Sequence, residues 1–168
     1  IIVTQSEFSE SLFGDYQKIC LDTEWENLIN ENDINLNLSM ASNQIIYMIY
    51  TSGSTGTPKA VRTMHYNVAA LLCNTNHMCP TENDRFLKIN NFAFDISTWE
   101  IWTPLIYGAT MVIMPEEIKL KPIEFANFVD QHEITMAYLP TALFHAISVE
   151  IPSAFKKMKL LIVGGEAL

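Results

Sequence analysis

From Asn43 to the end of the chain, segments with the hydrophobic pattern of buried β-strands alternate with segments of helical periodicity. The strand candidates are short apolar or β-branched runs, whereas the helix candidates repeat apolar side chains at the spacing of a helical turn. Strands that alternate with helices predict a mainly parallel sheet flanked by helices, and hence an α/β fold. We expect strands at 44–50, 85–89, 109–114, 134–139 and 159–165, and helices at 65–78, 98–107, 121–132 and 141–147.

Residues 1–42 are polar, acidic and only weakly periodic after an apolar start at Ile1 to Val3. We expect this part to be a peripheral segment that contains one strand, followed by a surface helix and a loop. Residues 43–168 would then form the α/β core. The chain begins with Ile1 rather than Met and ends directly after a strand-like run, so we expect a domain that is truncated at both ends.

The composition limits the classes of function that the chain can have. With 168 residues, of which 49% are apolar, it has the length and the core of one domain. A net charge of −9 with only ten Lys and Arg argues against a partner that is nucleic acid or an anionic membrane. The three cysteines have no CxxC spacing, so neither a disulfide framework nor a zinc site is indicated. We expect a soluble, cytoplasmic protein without a metal site.

The segment YTSGSTGTPKAV at 50–61 has the properties of a phosphate-binding loop. Gly53 and Gly56 allow the backbone to turn its N–H groups toward one point, and hydroxyl side chains add further donors. Lys59 supplies a positive charge that can neutralise a bound phosphate. The predicted phosphate-binding residues are Thr51, Ser52, Gly53, Ser54, Thr55, Gly56 and Lys59.

Two other interpretations of this loop are a Walker-type P-loop and a flexible linker. A Walker-type loop needs four residues between its glycines and a glycine directly before its lysine. Here only two residues separate Gly53 from Gly56, and Pro58 precedes Lys59, so this interpretation fails. A flexible linker stays open as the weaker alternative, because linkers are not usually flanked by a strand on one side and a helix on the other.

The loop resembles the phosphate-loop signature of the adenylate-forming superfamily, which includes acyl-CoA synthetases, luciferases and the adenylation domains of nonribosomal peptide synthetases. Similarity continues through VTQS near the start, FDISTWEIW at 94–102, ITMAYLPTALFHAI at 134–147 and LLIVGGEAL at 160–168. FDISTWEIW is similar to the peptide-synthetase form of its motif. The resemblance implies the central part of the large N-terminal domain of an adenylation domain. Ala60 stands where the family usually has glycine, and it would strain the turn if that position needed a positive φ.

Asp95 lies in apolar surroundings, which predict a buried carboxylate. Such a group is costly without a cation or hydrogen bonds, so we expect it to have a partner. Helix capping is the alternative, because Asp95 or Ser97 could cap a helix that begins near Thr98. The resemblance implies that Asp95 pairs with the α-ammonium group of an amino-acid substrate, which would select an amino acid over a plain carboxylic acid.

The resemblance also implies a substrate pocket and an adenine site. For Trp99 and Tyr138, a place in an ordinary aromatic core is an equally good interpretation of the pattern. Gly164 and Gly165 would let adenine lie against the backbone at a strand end, although a tight turn after a strand also explains two adjacent glycines. The implied substrate-binding residues are Asp95, Ile96, Trp99, Tyr138, Ile162 and Gly164.

In the family, an amino-acid carboxylate attacks the α-phosphorus of ATP to give aminoacyl-AMP and pyrophosphate. A phosphopantetheine thiol on a carrier domain then takes the acyl group. The resemblance therefore implies ATP and Mg²⁺ as cofactors, and as partners an amino-acid substrate, a peptidyl carrier domain and neighbouring synthetase modules. No catalytic residue is expected in this chain, because the catalytic lysine of the family follows well after the position of Leu168. We expect these 168 residues alone not to turn over.

Two alternatives to amino-acid activation stay open at this point. An acyl-CoA or aryl-acid ligase of the same superfamily would share the phosphate loop, but its substrate has no amine to pair with Asp95. A non-catalytic nucleotide-binding remnant would keep the loop without forming an adenylate. The sequence does not identify the amino acid, and the implied pocket residues suggest only an uncharged side chain.

Overall fold

The structure divides the chain into two compact units, Ile1–Ser39 and Met40–Leu168. It is a computed structural model that describes residues 1–52, 56–73 and 78–166. Residues 53–55 of the predicted phosphate loop, and residues 74–77 near the end of the predicted helix 65–78, lie outside the described residues. No helix in these ranges is long and apolar enough to cross a membrane.

The first unit is built on two short strands that pair in parallel. The Asp22 carboxylate accepts hydrogen bonds from the Ser6 backbone N–H and from the Ser6 hydroxyl, with lengths of 2.9 and 2.5 Å. The bond from the hydroxyl lowers the pKa of Asp22 below its usual value, and the two bonds together fix the start of the first helix. The elements are β1 (Ile2–Thr4), α1 (Ser6–Ser9), β2 (Lys18–Cys20) and α2 (Trp25–Leu28).

The second unit opens with an antiparallel hairpin that carries the predicted phosphate loop. Strand β3 (Ile45–Thr51) leads into the loop, and β4 (Lys59–Met64) returns beside it, so that Thr51 faces Lys59. Strand β3 was predicted from the sequence, whereas β4 was not. Most residues of β4 are exposed, so the strand lacks the apolar run that marks a buried strand in a sequence.

The hairpin also shows whether alanine at position 60 strains the backbone. Ala60 lies within β4 opposite Tyr50, in extended backbone that any residue can adopt. A positive φ, of +79°, occurs instead at Gly56. The strain expected from alanine at this position therefore does not arise.

A four-stranded parallel sheet forms the centre of the second unit. Helix α3 (His65–Cys73) precedes it, and 3-10 turns lie at Glu116–Ile118 and Pro152–Phe155. The remaining elements are β5 (Arg85–Lys88), α4 (Ser97–Tyr107), β6 (Thr110–Ile113), α5 (Pro122–Gln131), β7 (Met136–Pro140), α6 (Thr141–Glu150) and β8 (Leu160–Gly164). The strand order is β6-β5-β7-β8, and a helix connects each strand to the next one in the chain. The predicted α/β fold with a mainly parallel sheet is confirmed.

Both faces of this sheet are covered, because alternate side chains of its strands join different hydrophobic clusters. On β5, Phe86 packs into one cluster and Leu87 into the other. Helices α3 and α4 contribute Leu72 and Trp99 to the cluster of Phe86, whereas α5 and other elements complete the cluster of Leu87. With its faces covered, the sheet offers the ends of its strands to a ligand.

Candidate functional site

The candidate site lies at the carboxyl ends of β5, β7 and β8. Residues 89–96 form the loop from β5 into α4, Tyr138 belongs to β7, and Gly164 ends β8. Because these three strands are neighbours in the sheet, the fold brings segments that are distant in the sequence to one edge. This is the edge where open parallel sheets bind their ligands.

Most of the predicted substrate-binding residues line one cavity of about 380 Å³. Gly164 lies beside it, since a Cβ atom at this position would come within 2.9 Å of the Tyr138 hydroxyl oxygen. The structure thus brings all six residues together, although what they bind stays a prediction. The five that line the cavity are Asp95, Ile96, Trp99, Tyr138 and Ile162.

A second cavity, of about 420 Å³, is lined by the β3–β4 hairpin and the loop 89–96. Thr51 and Ser52 line it where β3 enters the phosphate loop, and Asp95 lines it from the other side. Asp95 and Tyr47 border both cavities, and the Tyr47 hydroxyl is hydrogen-bonded to the Thr98 hydroxyl of α4. An acid at this junction can hold a cationic group between the apolar pocket and the phosphate loop.

The structure corrects the expectation that the Asp95 carboxylate is buried. Asp95 is exposed, because the loop 89–96 lies at the surface with Phe92 and Phe94 65% and 64% exposed. The capping alternative is not realised either, since α4 begins at Ser97 without a side-chain cap. Among the described residues the Asp95 side chain has no hydrogen-bond or ion-pair partner. Its carboxylate is therefore accessible to a ligand.

Trp99 is a core residue and a wall of the pocket at the same time. It is 5% exposed, and its ring packs against Phe86 with the ring centroids 5.2 Å apart. Its Nε1–H donates to the Met78 sulfur at 3.0 Å. The two interpretations of Trp99 are thus compatible, and its fixed ring gives the pocket a rigid wall.

Gly164 and Gly165 carry the chain closely past Tyr138 at the end of β8. Gly165 has a φ of +96°, a conformation that favours glycine. The Thr141 hydroxyl donates to the carbonyl oxygens of Gly164 and Glu166, at 3.4 and 3.2 Å. The tight-turn interpretation therefore holds, while adenine binding at the two glycines stays a prediction.

The described residues of the predicted phosphate loop include exposed groups on both strands of the hairpin. Thr51 and Lys59 are exposed, and the Thr51 hydroxyl donates to the Lys59 carbonyl oxygen at 3.4 Å. Apart from its chain neighbours, no atom of the described residues lies within 4 Å of the point where a Cβ atom on Gly56 would stand. Lys59 forms no ion pair within the described residues, so its charge is free to meet an anion. Gly53, Ser54 and Thr55 lie outside the described part of the chain.

A buried ion pair next to the site was missed by the sequence analysis. Lys88, the last residue of β5, lies 3.0 Å from Glu100 of α4, and their side chains are 3% and 0% exposed. The signal that could have found them is a charge inside each of two apolar segments, RFLKI and STWEIW. That signal shows two unusual charges, but it does not show that they face each other.

Metal ligands do not cluster in the part of the chain that the structure describes. Across residues 1–52, 56–73 and 78–166, no group of three or more His, Cys, Asp or Glu side chains could hold a metal ion. The three cysteines are described, and none forms a disulfide.

Comparison with known proteins finds similarity along nearly the whole chain. A family model described as AMP-binding enzyme matches residues 5–168. Tyrocidine synthase 3 of Brevibacillus parabrevis is 35% identical over 145 residues, which cover 86% of this chain and 2% of that protein. Bacitracin synthase 3 of Bacillus licheniformis is 36% identical over 125 residues, which cover 74% of this chain and 2% of that protein. The chain thus spans about 2% of the length of these curated relatives.

Solved structures share the fold. Holo-PA1221, an NRPS protein containing adenylation and PCP domains, has a TM-score of 0.69 at 28% identity, covering 77% of this chain and 22% of that chain. Holo-AB3403, a four-domain nonribosomal peptide synthetase bound to AMP and glycine, has a TM-score of 0.76 at 25% identity, covering 100% of this chain and 12% of that chain. The Klebsiella oxytoca NpsA N-terminal subdomain in complex with 3-hydroxybenzoyl-AMSN has a TM-score of 0.78 at 25% identity, covering 92% of this chain and 39% of that chain.

Proposed function

The chain belongs to the AMP-binding enzyme family, and we propose that it is part of an amino-acid-activating ligase of nonribosomal peptide synthesis. An amino-acid carboxylate oxygen attacks the α-phosphorus of ATP, the bond to the β-phosphate breaks, and aminoacyl-AMP and pyrophosphate form. The phosphopantetheine thiol of a peptidyl carrier domain then attacks the acyl carbon, a thioester forms, and AMP and the thiol proton leave. The similarity to tyrocidine and bacitracin synthases supports this assignment at the level of the enzyme class.

The position of Asp95 at the junction of the two cavities carries the proposal. The first cavity would take the amino-acid side chain, and Asp95 would pair with the α-ammonium group. The substrate carboxylate would then point toward the second cavity, where Thr51 and Ser52 lead into the phosphate loop. In this arrangement the substrate carboxylate and the triphosphate of ATP meet where β3 leads into the phosphate loop.

A reaction between two anions needs charge neutralisation and alignment rather than a nucleophilic side chain. Lys59 would neutralise the triphosphate, while the backbone and hydroxyl donors of the loop would hold its oxygens. Adenine would lie against Gly164 and Gly165. Mg²⁺ would shield the remaining phosphate charge, held largely by phosphate oxygens and water.

The lining of the pocket favours an amino acid with an uncharged side chain. Ile96, Trp99 and Ile162 are apolar, and no Lys or Arg is among the residues that line this cavity in the described part of the chain. PA1221 contains adenylation and PCP domains, which supports a carrier domain as a partner of this chain. AB3403, a four-domain nonribosomal peptide synthetase, supports further synthetase domains as partners. A cytoplasmic location is part of the same proposal.

Pyrophosphate exchange by the full-length protein tests the proposed function. With ATP, Mg²⁺ and each proteinogenic amino acid in turn, we expect at least one amino acid to drive the exchange of labelled pyrophosphate into ATP. Binding of ATP without exchange for any amino acid or carboxylic acid would instead identify a non-catalytic nucleotide-binding protein.

A second candidate function is the activation of an aryl acid. The NpsA subdomain, which is in complex with a 3-hydroxybenzoyl compound, has a TM-score of 0.78 to this chain and favours this candidate. The same assay separates the two, because an aryl-acid ligase would be driven by benzoic acids that have no α-amine. Exchange driven by benzoic acids and by no amino acid would replace the first proposal with the second.

A further inference from the structure

The Lys88–Glu100 pair is the centre of a hydrogen-bond network that holds the start of the loop 89–96. Glu100 Oε1 accepts from the backbone N–H groups of Ile89 and Asn90, each at 3.1 Å, and from Asn90 Nδ2 at 2.7 Å. Lys88 Nζ lies 3.0 Å from Oε2 and also donates to the Asn90 carbonyl oxygen. These hydrogen bonds hold the first residues of the loop against the first turn of α4.

The network also anchors the loop to the central strand of the site. Asn90 Nδ2 donates a second hydrogen bond, of 3.3 Å, to the backbone carbonyl oxygen of Tyr138 in β7. Lys88 Nζ lies 4.4 Å from the centroid of the Phe92 ring, close enough for a cation–π contact. One buried acid thus connects β5, α4, β7 and the loop between them.

Asp95 depends on this loop for its position, because its side chain has no partner among the described residues. The backbone around it is fixed by turn bonds: the Thr98 N–H donates to the Asp95 carbonyl oxygen at 2.9 Å. The Ser97 hydroxyl donates to the Phe92 carbonyl oxygen at 3.2 Å. These bonds join the second half of the loop to the start of α4, while the Glu100 network ties its first half to the sheet. A displacement of the loop would therefore carry the Asp95 carboxylate with it.

We infer that Glu100 and Lys88, acting through Asn90, are positioning residues that hold the Asp95 carboxylate where the ammonium group of an amino-acid substrate requires it. This inference rests on the proposed function. Neither Glu100 nor Lys88 touches either cavity. A carboxylate is suited to the task because it accepts several N–H bonds at once, and Lys88 compensates its charge in the core.

The test compares an amino acid with its deamino carboxylic acid in variants of the full-length protein. Asn90→Ala removes the side-chain amide that joins Glu100 to β7, and it leaves both members of the ion pair in place. Asn127→Ala, at an exposed position of α5, is the matched control. The probes are the amino acid with the highest exchange rate in the wild-type enzyme and its deamino acid, for example phenylalanine and phenylpropanoic acid, with the latter measured as a competitive inhibitor.

For Asn90→Ala we expect KM for the amino acid to rise about tenfold, because a misplaced Asp95 loses most of a charge-assisted hydrogen bond. The inhibition constant of the deamino acid and KM for ATP should each change less than about twofold, since neither ligand uses Asp95. Glu100→Gln, which replaces an acceptor oxygen by a donor, should show the same split with a larger rise. Asn127→Ala should match the wild type in all three quantities.

Each outcome bears on the inference. A merely structural role of the network would raise KM for the amino acid and the inhibition constant of the deamino acid equally, and that result would overturn the inference, as would an unchanged KM in Asn90→Ala. If Glu100→Gln does not fold, as a thermal unfolding scan would reveal, the Asn90→Ala comparison decides alone. A wild-type enzyme without any amino-acid-dependent exchange would refute the proposed function itself, and this result differs from an active enzyme whose variants show no split.

Discussion

Two acid–lysine pairs mark the two ends of strand β5, and they differ in how far water reaches them. At the amino end, Asp84 lies 2.8 Å from Lys159, and the Lys159 side chain is 43% exposed. At the carboxyl end, Lys88 and Glu100 are 3.0 Å apart and almost fully buried. The first pair lies outside both cavities, whereas the second holds the loop that borders them.

The neighbours of the two pairs explain the difference. Asp84 also accepts from the Thr81 N–H at 2.7 Å and from the Thr135 hydroxyl at 2.9 Å, so it joins the starts of adjacent segments of the sheet. Glu100 accepts instead from the backbone of the loop 89–96, at the point where this loop leaves β5. The same chemistry thus stabilises the fold at one end of β5 and shapes the candidate site at the other.

The largest expected difference between the two ends is in stability. Lys88→Met leaves the Glu100 carboxylate buried without its counter-ion, and we expect a local loss of about 3–5 kcal/mol. Lys159→Met should cost about 1 kcal/mol or less, because its charge is partly solvated and Asp84 keeps its bonds from threonines. Hydrogen exchange of peptides that cover residues 81–100, in the full-length protein, measures both losses. Equal losses in the two variants would break the comparison.

The next largest effect is expected on substrate activation. Asp95→Ala should lower kcat/KM for the amino acid about 10- to 150-fold, the equivalent of one charged hydrogen bond, and KM for ATP should stay within about twofold. Asp84→Asn, at the other end of β5, is the matched control and should leave both constants at their wild-type values. Pyrophosphate exchange gives these constants. Wild-type kcat/KM in Asp95→Ala would show that the amine is bound elsewhere.

Acid should weaken the amino end of β5. Burial alone would raise the pKa of Asp84, but hydrogen bonds from Lys159, Thr81 and Thr135 outweigh it and hold the pKa below its usual value. A lowered pKa in the folded state adds stability above the unfolded pKa, and this stability is lost as the pH falls through the folded pKa.

The variant Asp84→Asn tests whether Asp84 causes this pH dependence at the amino end of β5. As the pH falls below about 4, near the ordinary pKa of an aspartate, we expect protection of the amides at 81–86 to decrease. Asp84→Asn should be less protected at neutral pH and should lack this part of the acid dependence. Hydrogen exchange at a series of pH values, corrected for the intrinsic exchange rate, is the measurement. An unchanged acid dependence in Asp84→Asn would assign the effect to another group.

The smallest effect is expected for an ion pair on the surface. Lys157 pairs with Asp130 at 2.5 Å, and this contact raises the pKa of Lys157, but the side chains are 75% and 65% exposed. Lys157→Met should change neither hydrogen exchange nor pyrophosphate exchange measurably, because water and salt screen the pair. A loss as large as that of Lys88→Met would show that burial is not what separates the pairs.

The α/β fold was predictable because the pattern of apolar residues follows the geometry of each element. The predicted strand at 109–114 contains the observed Thr110–Ile113, and the predicted helix at 121–132 contains the observed Pro122–Gln131. Strand β4 was missed because its stability comes from pairing with β3 rather than from burial. Its exposed residues leave no apolar pattern to read.

The site was predictable only through motifs and their resemblance to a family. That resemblance named Asp95, Trp99 and Tyr138 together, which the fold places around one cavity. The prediction that Asp95 is buried was wrong, because exposed phenylalanines on a loop look the same in sequence as buried ones. The contact between Lys88 and Glu100 could not be predicted from the sequence, since it depends on how α4 packs against β5.

The most direct test of the central claim is a crystal structure of the full-length protein with a non-hydrolysable aminoacyl-adenylate analogue of the preferred amino acid. The account predicts the α-ammonium nitrogen about 3 Å from an Asp95 carboxylate oxygen, with the side chain among Ile96, Trp99 and Ile162. It also predicts adenine at Gly164 and Gly165. An analogue whose ammonium group lies away from Asp95, or whose side chain occupies a different cavity, would contradict the account.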